Sequence, residues 1–206
     1  MSKRILFQGD SITDCKRNRE DFYGMGNGYA HLVEAHLGMG NPNEYEFVNR
    51  GVSGEGVFNI YERVKEDFID LAPDYASIYI GVNDGWNENE QFEKDYAMLI
   101  DEVKKAIPNI KLMIIAPYVL EGPMTCDTED IPDRLSQFRC HVAEKTAASK
   151  RIAEKYGLPF IELQPAFDEA CKKAEPSYWS YDGVHPTAKG HELIKRLWLS
   201  AFETIK

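Results

Sequence analysis

The 206-residue sequence contains no apolar run long enough to span a bilayer as a helix. It also lacks the hydrophobic region of a secretory leader. Met1-Ser2-Lys3-Arg4 is followed by only Ile5, Leu6 and Phe7 before Gln8-Gly9-Asp10. The expectation is a cytoplasmic protein, or else a processed chain. Basic residues are in deficit, 24 against 34 acidic ones, for a formal charge of -10. Such a balance disfavours nucleic acid and anionic membrane surfaces as partners and suits a neutral substrate.

Cysteine is sparse. Cys15, Cys126, Cys140 and Cys171 show neither C-x-x-C nor metal-ligand spacing, which leaves free thiols in a reducing compartment as the expectation. His191-Glu192 is no zinc motif, because position 195 is Lys, and His31, His36 and His141 lack paired ligand spacing. Gly51-Val52-Ser53-Gly54-Glu55 lacks the second glycine of a nucleophile elbow. Repeats, low-complexity tracts and linkers are also missing, so residues 1–206 read as one domain.

What is present is an alternation of short apolar runs with longer amphipathic stretches. Residues 5–7, 47–49, 76–80, 112–116 and 159–162 read as buried strands. Residues 57–71, 91–107, 133–156 and 187–204 read as helices, the first carrying Val57, Ile60, Tyr61, Val64, Phe68 and Leu71 close to helical spacing. Strand–helix alternation implies parallel strands joined by right-handed crossovers. The fold class is therefore α/β, a three-layer α/β/α sandwich around about five parallel strands. In such sheets chemistry gathers at the carboxyl ends of the strands.

Four polar segments occupy those positions: Gly9-Asp10-Ser11-Ile12-Thr13-Asp14, Asn49-Arg50-Gly51-Val52-Ser53-Gly54, Gly81-Val82-Asn83-Asp84, and Asp182-Gly183-Val184-His185-Pro186 ahead of the last helix. A serine hydroxyl needs a base to take its proton. His185 can be that base, and Asp182 can fix its tautomer and stabilise the imidazolium. Oxyanion donors are available in the Ser11 N–H, the Gly51 N–H and the Asn83 amide. Each piece alone reads as a cap, a turn or a loop glycine. Their joint occurrence at strand ends is what points to hydrolysis. Asp10, Asp14 and Asp84 could suggest a divalent cation, but that would leave Ser11 and His185 unexplained. No metal or cofactor is expected.

These four blocks resemble those of the SGNH (GDSL) hydrolase superfamily over nearly the whole chain. The resemblance implies a flavodoxin-like sheet of order 2-1-3-4-5, Ser11 as nucleophile, Asp182 and His185 completing the triad, and an oxyanion hole of Ser11, Gly51 and Asn83. The chain is similar in particular to intracellular acetylxylan esterases. That likeness rests on Gly9-Asp10-Ser11-Ile12-Thr13-Asp14-Cys15 with Arg17, Gly26-x-Gly28-Tyr29, Asn83-Asp84-x-Trp86, Ala116-Pro117-Tyr118 and Val184-His185-Pro186. It implies removal of acetyl groups from xylo-oligosaccharides, a small acetylated carbohydrate as partner, and a homo-oligomer. The sequence departs from that branch at Tyr181, at Gly183, and in residues 121–130, a polar candidate lid.

Asp10, Trp86 and Tyr181 are the candidate substrate contacts, with Tyr178 and Trp179 possible walls of the same cleft. The alternatives are a broad short-chain esterase, thioesterase or lysophospholipase, or a non-catalytic carbohydrate-binding protein on the same fold. A small acyl group is favoured, because residues 121–132 are rich in Asp, Glu, Thr and Pro where a lipase would carry an apolar lid.

Overall fold

The computed structural model describes residues 2–86 and 88–206. Its five strands are β1 Lys3–Gly9, β2 Tyr45–Asn49, β3 Tyr75–Tyr79, β4 Lys111–Ile115 and β5 Phe160–Ile161. All pair in parallel, in the order β2-β1-β3-β4-β5. Helices are α1 Ser11–Asp14, α2 Tyr29–Gly40, α3 Val57–Glu62, α4 Asn89–Ala106, α5 Arg134–Tyr156, α6 Gln164–Cys171, α7 Pro176–Trp179 and α8 Ala188–Phe202. Among the described residues no helix is long and apolar enough to cross a membrane. The four cysteines are free.

The strands read as continuous apolar runs because both sheet faces are covered. Successive side chains of a strand point to opposite faces. Ile5 and Phe7 join one core with Tyr29 and Val33 of α2 and Ile194, Trp198 and Phe202 of α8. Leu6, Ile78 and Ile114 join the other with Ile60 of α3, Leu99 and Val103 of α4 and Ile152 of α5. This is the expected α/β/α sandwich, with the expected strand order.

Two expectations need correction. Residues 57–71 do not form one α-helix; α3 stops at Glu62, and Lys65–Ile69 winds as a π-helical turn. The wider turn accompanies a buried polar cluster: Asp67 accepts from Gln8 Nε2 at 3.1 Å and from Arg63 Nε at 3.0 Å. Helices α2 and α6 were not anticipated. Because β1 lies between β2 and β3, the chain reverses its winding there, and a crevice opens beyond the carboxyl ends of β1 and β3.

Candidate active site

Ser11 stands at that crevice, immediately after β1. Gly9 ends the strand where a side chain could not fit, since a Cβ there would meet the Tyr79 carbonyl and Thr13 Oγ1 at 2.4 Å. Asp10 then caps α1, its Oδ1 accepting the Ile12 N–H at 2.9 Å. Asp10 is wholly buried, so it cannot touch a substrate, and the expectation of a substrate contact at this position is corrected. Burial pushes its carboxyl up to about 7, and the neighbouring Asp84 charge adds to the rise. Asp84 Oδ1 accepts the Val57 N–H at 2.8 Å, and burial raises this carboxyl to about 6. Asp14 is committed elsewhere, with Oδ2 accepting from Arg19 Nη2 at 2.5 Å and from Ser53 N and Oγ at 3.1 and 3.0 Å.

His185 arrives from the loop before α8. Its Nε2 lies 3.0 Å from Ser11 Oγ, and its Nδ1 lies 2.7 Å from Asp182 Oδ2. Asp182 Oδ1 accepts the backbone N–H groups of Val184 and His185 at 2.9 and 2.8 Å. Burial alone would raise the Asp182 carboxyl; the bonds from the His185 N–H and ring and from the Val184 N–H outweigh it and hold the group below its usual range. Gly183, between the two residues, has a φ of +100°, and a Cβ there would meet Thr125 Oγ1 at 2.4 Å. Ser180, almost fully buried, ties both limbs of the loop. Its Oγ donates to the His185 carbonyl and accepts the Gly183 N–H, both at 3.0 Å.

The candidate lid is partly built into this loop. Leu120 N donates to the Gly183 carbonyl at 2.8 Å, and Met124 N donates to the Asp182 carbonyl at 2.9 Å. Gly122 approaches so closely that a Cβ would lie 2.3 Å from the Asp182 carbonyl carbon.

Gly51 does not fill the place expected of it. Its N–H already donates to Asn49 Oδ1 at 2.9 Å, and it borders neither cavity at Ser11. The absence of a side chain serves a different need, because a Cβ would lie 2.5 Å from the Asp14 nitrogen. Gly54, read from sequence only as loop punctuation, lines a cavity with Ser11 and Asn83 and has a φ of +85°. Among the described residues neither the Gly54 N–H nor the Ser11 N–H has an acceptor. Asn83 Nδ2 donates to the Glu55 carbonyl at 3.1 Å, which leaves its second amide hydrogen available. Asn49 itself went unassigned. Fully buried, it donates to the Thr13 and Met25 carbonyls at 2.6 and 2.9 Å and so ties the end of β2 to α1 and to the segment before α2.

Two cavities meet at Ser11, Ser53 and His185. One, of about 610 Å³, carries Trp86, Met124, Phe138, Val82 and Val184. Trp86 is 43% exposed and stacks on His141 with ring centroids 4.4 Å apart, so it is not core packing. The other cavity, of about 530 Å³, includes Cys15, Lys16, Asn27, Tyr181 and His191. Tyr178 and Trp179 do not reach it and instead line a separate groove with residues of α6 and α8. His191, set aside from sequence as part of no zinc motif, proves structural. Its Nδ1 accepts the Tyr29 N–H at 3.1 Å, completing the start of α2, where Gly28 offers no side-chain cap. Burial pushes this imidazole down to about 4, with His185 adding to the effect.

A serine bonded to a histidine bonded to a carboxylate, at the switch point of a parallel sheet, defines the hydrolytic class of site. The chain belongs to the GDSL-like lipase/acylhydrolase family, whose model matches residues 7–193. It is a carboxylic ester hydrolase. It is 32% identical to the acetylxylan esterase of Geobacillus stearothermophilus over 96% of this chain and 92% of that one. The crystal structure of a candidate GDSL-like lipase from Parabacteroides merdae superposes with a TM-score of 0.88 at 32% identity, covering 98% of this chain and 97% of that one. A variant of Axe2, the acetyl-xylooligosaccharide esterase of the Geobacillus species, superposes with a TM-score of 0.81 at 29% identity, covering 98% and 95%.

Proposed function

We propose that this esterase removes O-acetyl groups from oligosaccharides, xylo-oligosaccharides foremost, through an acyl-enzyme on Ser11. The observation that carries the reading is the continuous chain Ser11 Oγ–His185 Nε2 and His185 Nδ1–Asp182 Oδ2, at 3.0 and 2.7 Å, at the junction of two cavities. The similarity to acetyl-xylooligosaccharide esterases supports the choice of acyl group and leaving group.

In the first step Ser11 Oγ attacks the ester carbonyl carbon while His185 Nε2 takes its proton. The carbonyl oxygen becomes an oxyanion held by the Ser11 N–H, the Gly54 N–H and the Asn83 amide. The tetrahedral intermediate collapses, the bond to the sugar oxygen breaks, and His185 returns the proton to that oxygen. Water then attacks the acyl carbon, giving its proton to His185, and acetate leaves as Ser11 recovers its hydrogen. Asp182 keeps the imidazole oriented and stabilises it when charged.

Mass spectrometry of acetylated xylo-, manno- and pectic oligosaccharides after incubation tests the reading; each acetyl lost removes one acetyl mass. Loss from the xylo series is expected, and Ser11→Ala should abolish it. No loss from any series, or full activity in Ser11→Ala, would overturn it. One observation favours a second reading, a broad short-chain esterase: Trp86, Met124 and Phe138 leave apolar room in the larger cavity. Comparison of p-nitrophenyl acetate with the octanoate separates the two, since an acetylesterase should strongly prefer the acetate.

A further inference from the structure

The smaller cavity at Ser11 has a wall whose chemistry the esterase reading leaves unused. Lys16 and Asn27 both border it, beside His185 and Tyr181. No carboxylate does among the described residues, in a chain whose formal charge is -10. The Lys16 ammonium and the Asn27 side-chain amide have no hydrogen-bond or ion-pair partner among the described residues. The nearest carboxylate along the loop, Asp14, is already engaged by Arg19 and Ser53. The loop is also held in place, since the Asn27 N–H donates to the Cys15 carbonyl at 2.9 Å. Cys15 and Lys16 take φ values of 39° and 60°, consecutive left-handed residues where glycine would cost less.

We propose that Lys16 and Asn27 form a subsite for a carboxylate carried by the substrate, so that acetylated oligosaccharides bearing a uronic acid are preferred. The inference rests on the esterase reading and adds the charge class of the substrate. The exposed Lys16 ammonium and Asn27 amide are N–H donors, the chemistry that carboxylate oxygens accept. The overall negative charge of the protein would otherwise repel such a substrate, and an unpaired local cation offsets that repulsion at short range.

The test compares kcat/KM for two acetylated xylo-oligosaccharides that differ only in a branch sugar, a glucuronate in one and its carboxyl-reduced counterpart in the other. The ratio should favour the uronate by about fivefold at low salt, the upper range for an exposed ion pair. It should fall towards one in about 0.5 M NaCl. Lys16→Gln should bring it towards one at low salt. So should Lys16→Gly, which suits the left-handed backbone and guards against a folding artefact. Lys94→Gln, an exposed lysine on α4, should leave the ratio as it was. A wild-type ratio of one with active hydrolysis would overturn the subsite and leave the esterase reading standing. A preference that survives both Lys16 variants would remove Lys16 from it. Failure to deacetylate either sugar would overturn both readings together.

Discussion

Whether the backbone N–H is already bonded distinguishes Gly51 from Gly54 as candidate oxyanion donors. The Gly51 N–H is satisfied inside the protein by Asn49 Oδ1, whereas the Gly54 N–H has no acceptor among the described residues and Gly54 lines the cavity at Ser11. Donors act on a developing charge only when nothing else already occupies them. Asn83→Ala should therefore lower kcat by about 10²–10³ with little change in KM, because the amide is needed mainly in the transition state. Steady-state kinetics on one acetylated substrate would show it; a rise in KM at constant kcat would assign Asn83 to ground-state binding instead. Ser180 acts one bond further away. Ser180→Ala removes the hydroxyl that holds the Gly183 N–H and the His185 carbonyl, leaving a buried donor unpaired at a cost of about 1–3 kcal/mol. We expect a lower melting temperature together with a drop in kcat of about tenfold, on the scale of that cost. An unchanged kcat in a less stable variant would mean that the loop keeps its geometry without this tie.

Among the elements, the strands and the long helices were legible because burial leaves its period in the sequence. Ile5-Leu6-Phe7 and residues 112–116 could hardly be anything but buried strands, and Phe92, Tyr96, Leu99, Ile100 and Val103 mark the inner face of α4. Helix α2 was missed although Tyr29, Ala30, Val33 and Leu37 are buried at helical spacing, because Gly38 and Gly40 break its end and Gly28 offers no capping side chain. The break after α3 was also hidden, since Val64, Phe68 and Leu71 continue the apolar period straight through it. Ser11, Asn83, Asp182 and His185, in the polar segments that follow strands or precede α8, were readable from their order along the chain. Asn49 and Gly54 were not, because their roles depend on where backbone N–H and carbonyl groups of distant segments lie, and no side-chain pattern records that. Residues 121–132 show the same limit: their composition suggested a lid, while Leu120, Gly122 and Met124 are packed and bonded onto the Asp182–Gly183 turn. Gly122→Ala would push that turn, so kcat should fall at least about tenfold as the reacting groups are misplaced. Glu129→Ala, on the exposed half, should change stability by less than about 0.5 kcal/mol. Thermal melts and kinetics on the pair would check both. Equal effects at the two positions would mean the segment acts as one unit.

At the level of the whole molecule, the site's polar foundations set how stability responds to pH. Asp10 and Asp84 have carboxyls raised to about 7 and about 6, chiefly by burial. A carboxyl raised on folding binds its proton more tightly in the native state, so its contribution is complete near pH 4 and is lost as pH climbs through the native value. His191 works the other way. Held down to about 4 by burial, it stays neutral while the unfolded imidazole charges, so its contribution to stability grows as pH rises from about 4 to 6.5. Two carboxyls against one imidazole leave a net loss of stability as pH rises from about 4 to 7. Asp182 and Asp14, both held below their usual range, add a loss at the acid extreme, below about pH 4. Stability should thus peak near pH 4–5. The sign can be reversed by design. In Asp10→Asn/Asp84→Asn the two opposing carboxyls are gone and His191 remains, and asparagine keeps the acceptor that caps α1. Denaturant unfolding from pH 4 to 7 should then show stability rising where the parent falls. A falling curve in the double variant would mean that other groups, and not this buried pair, govern the neutral limb.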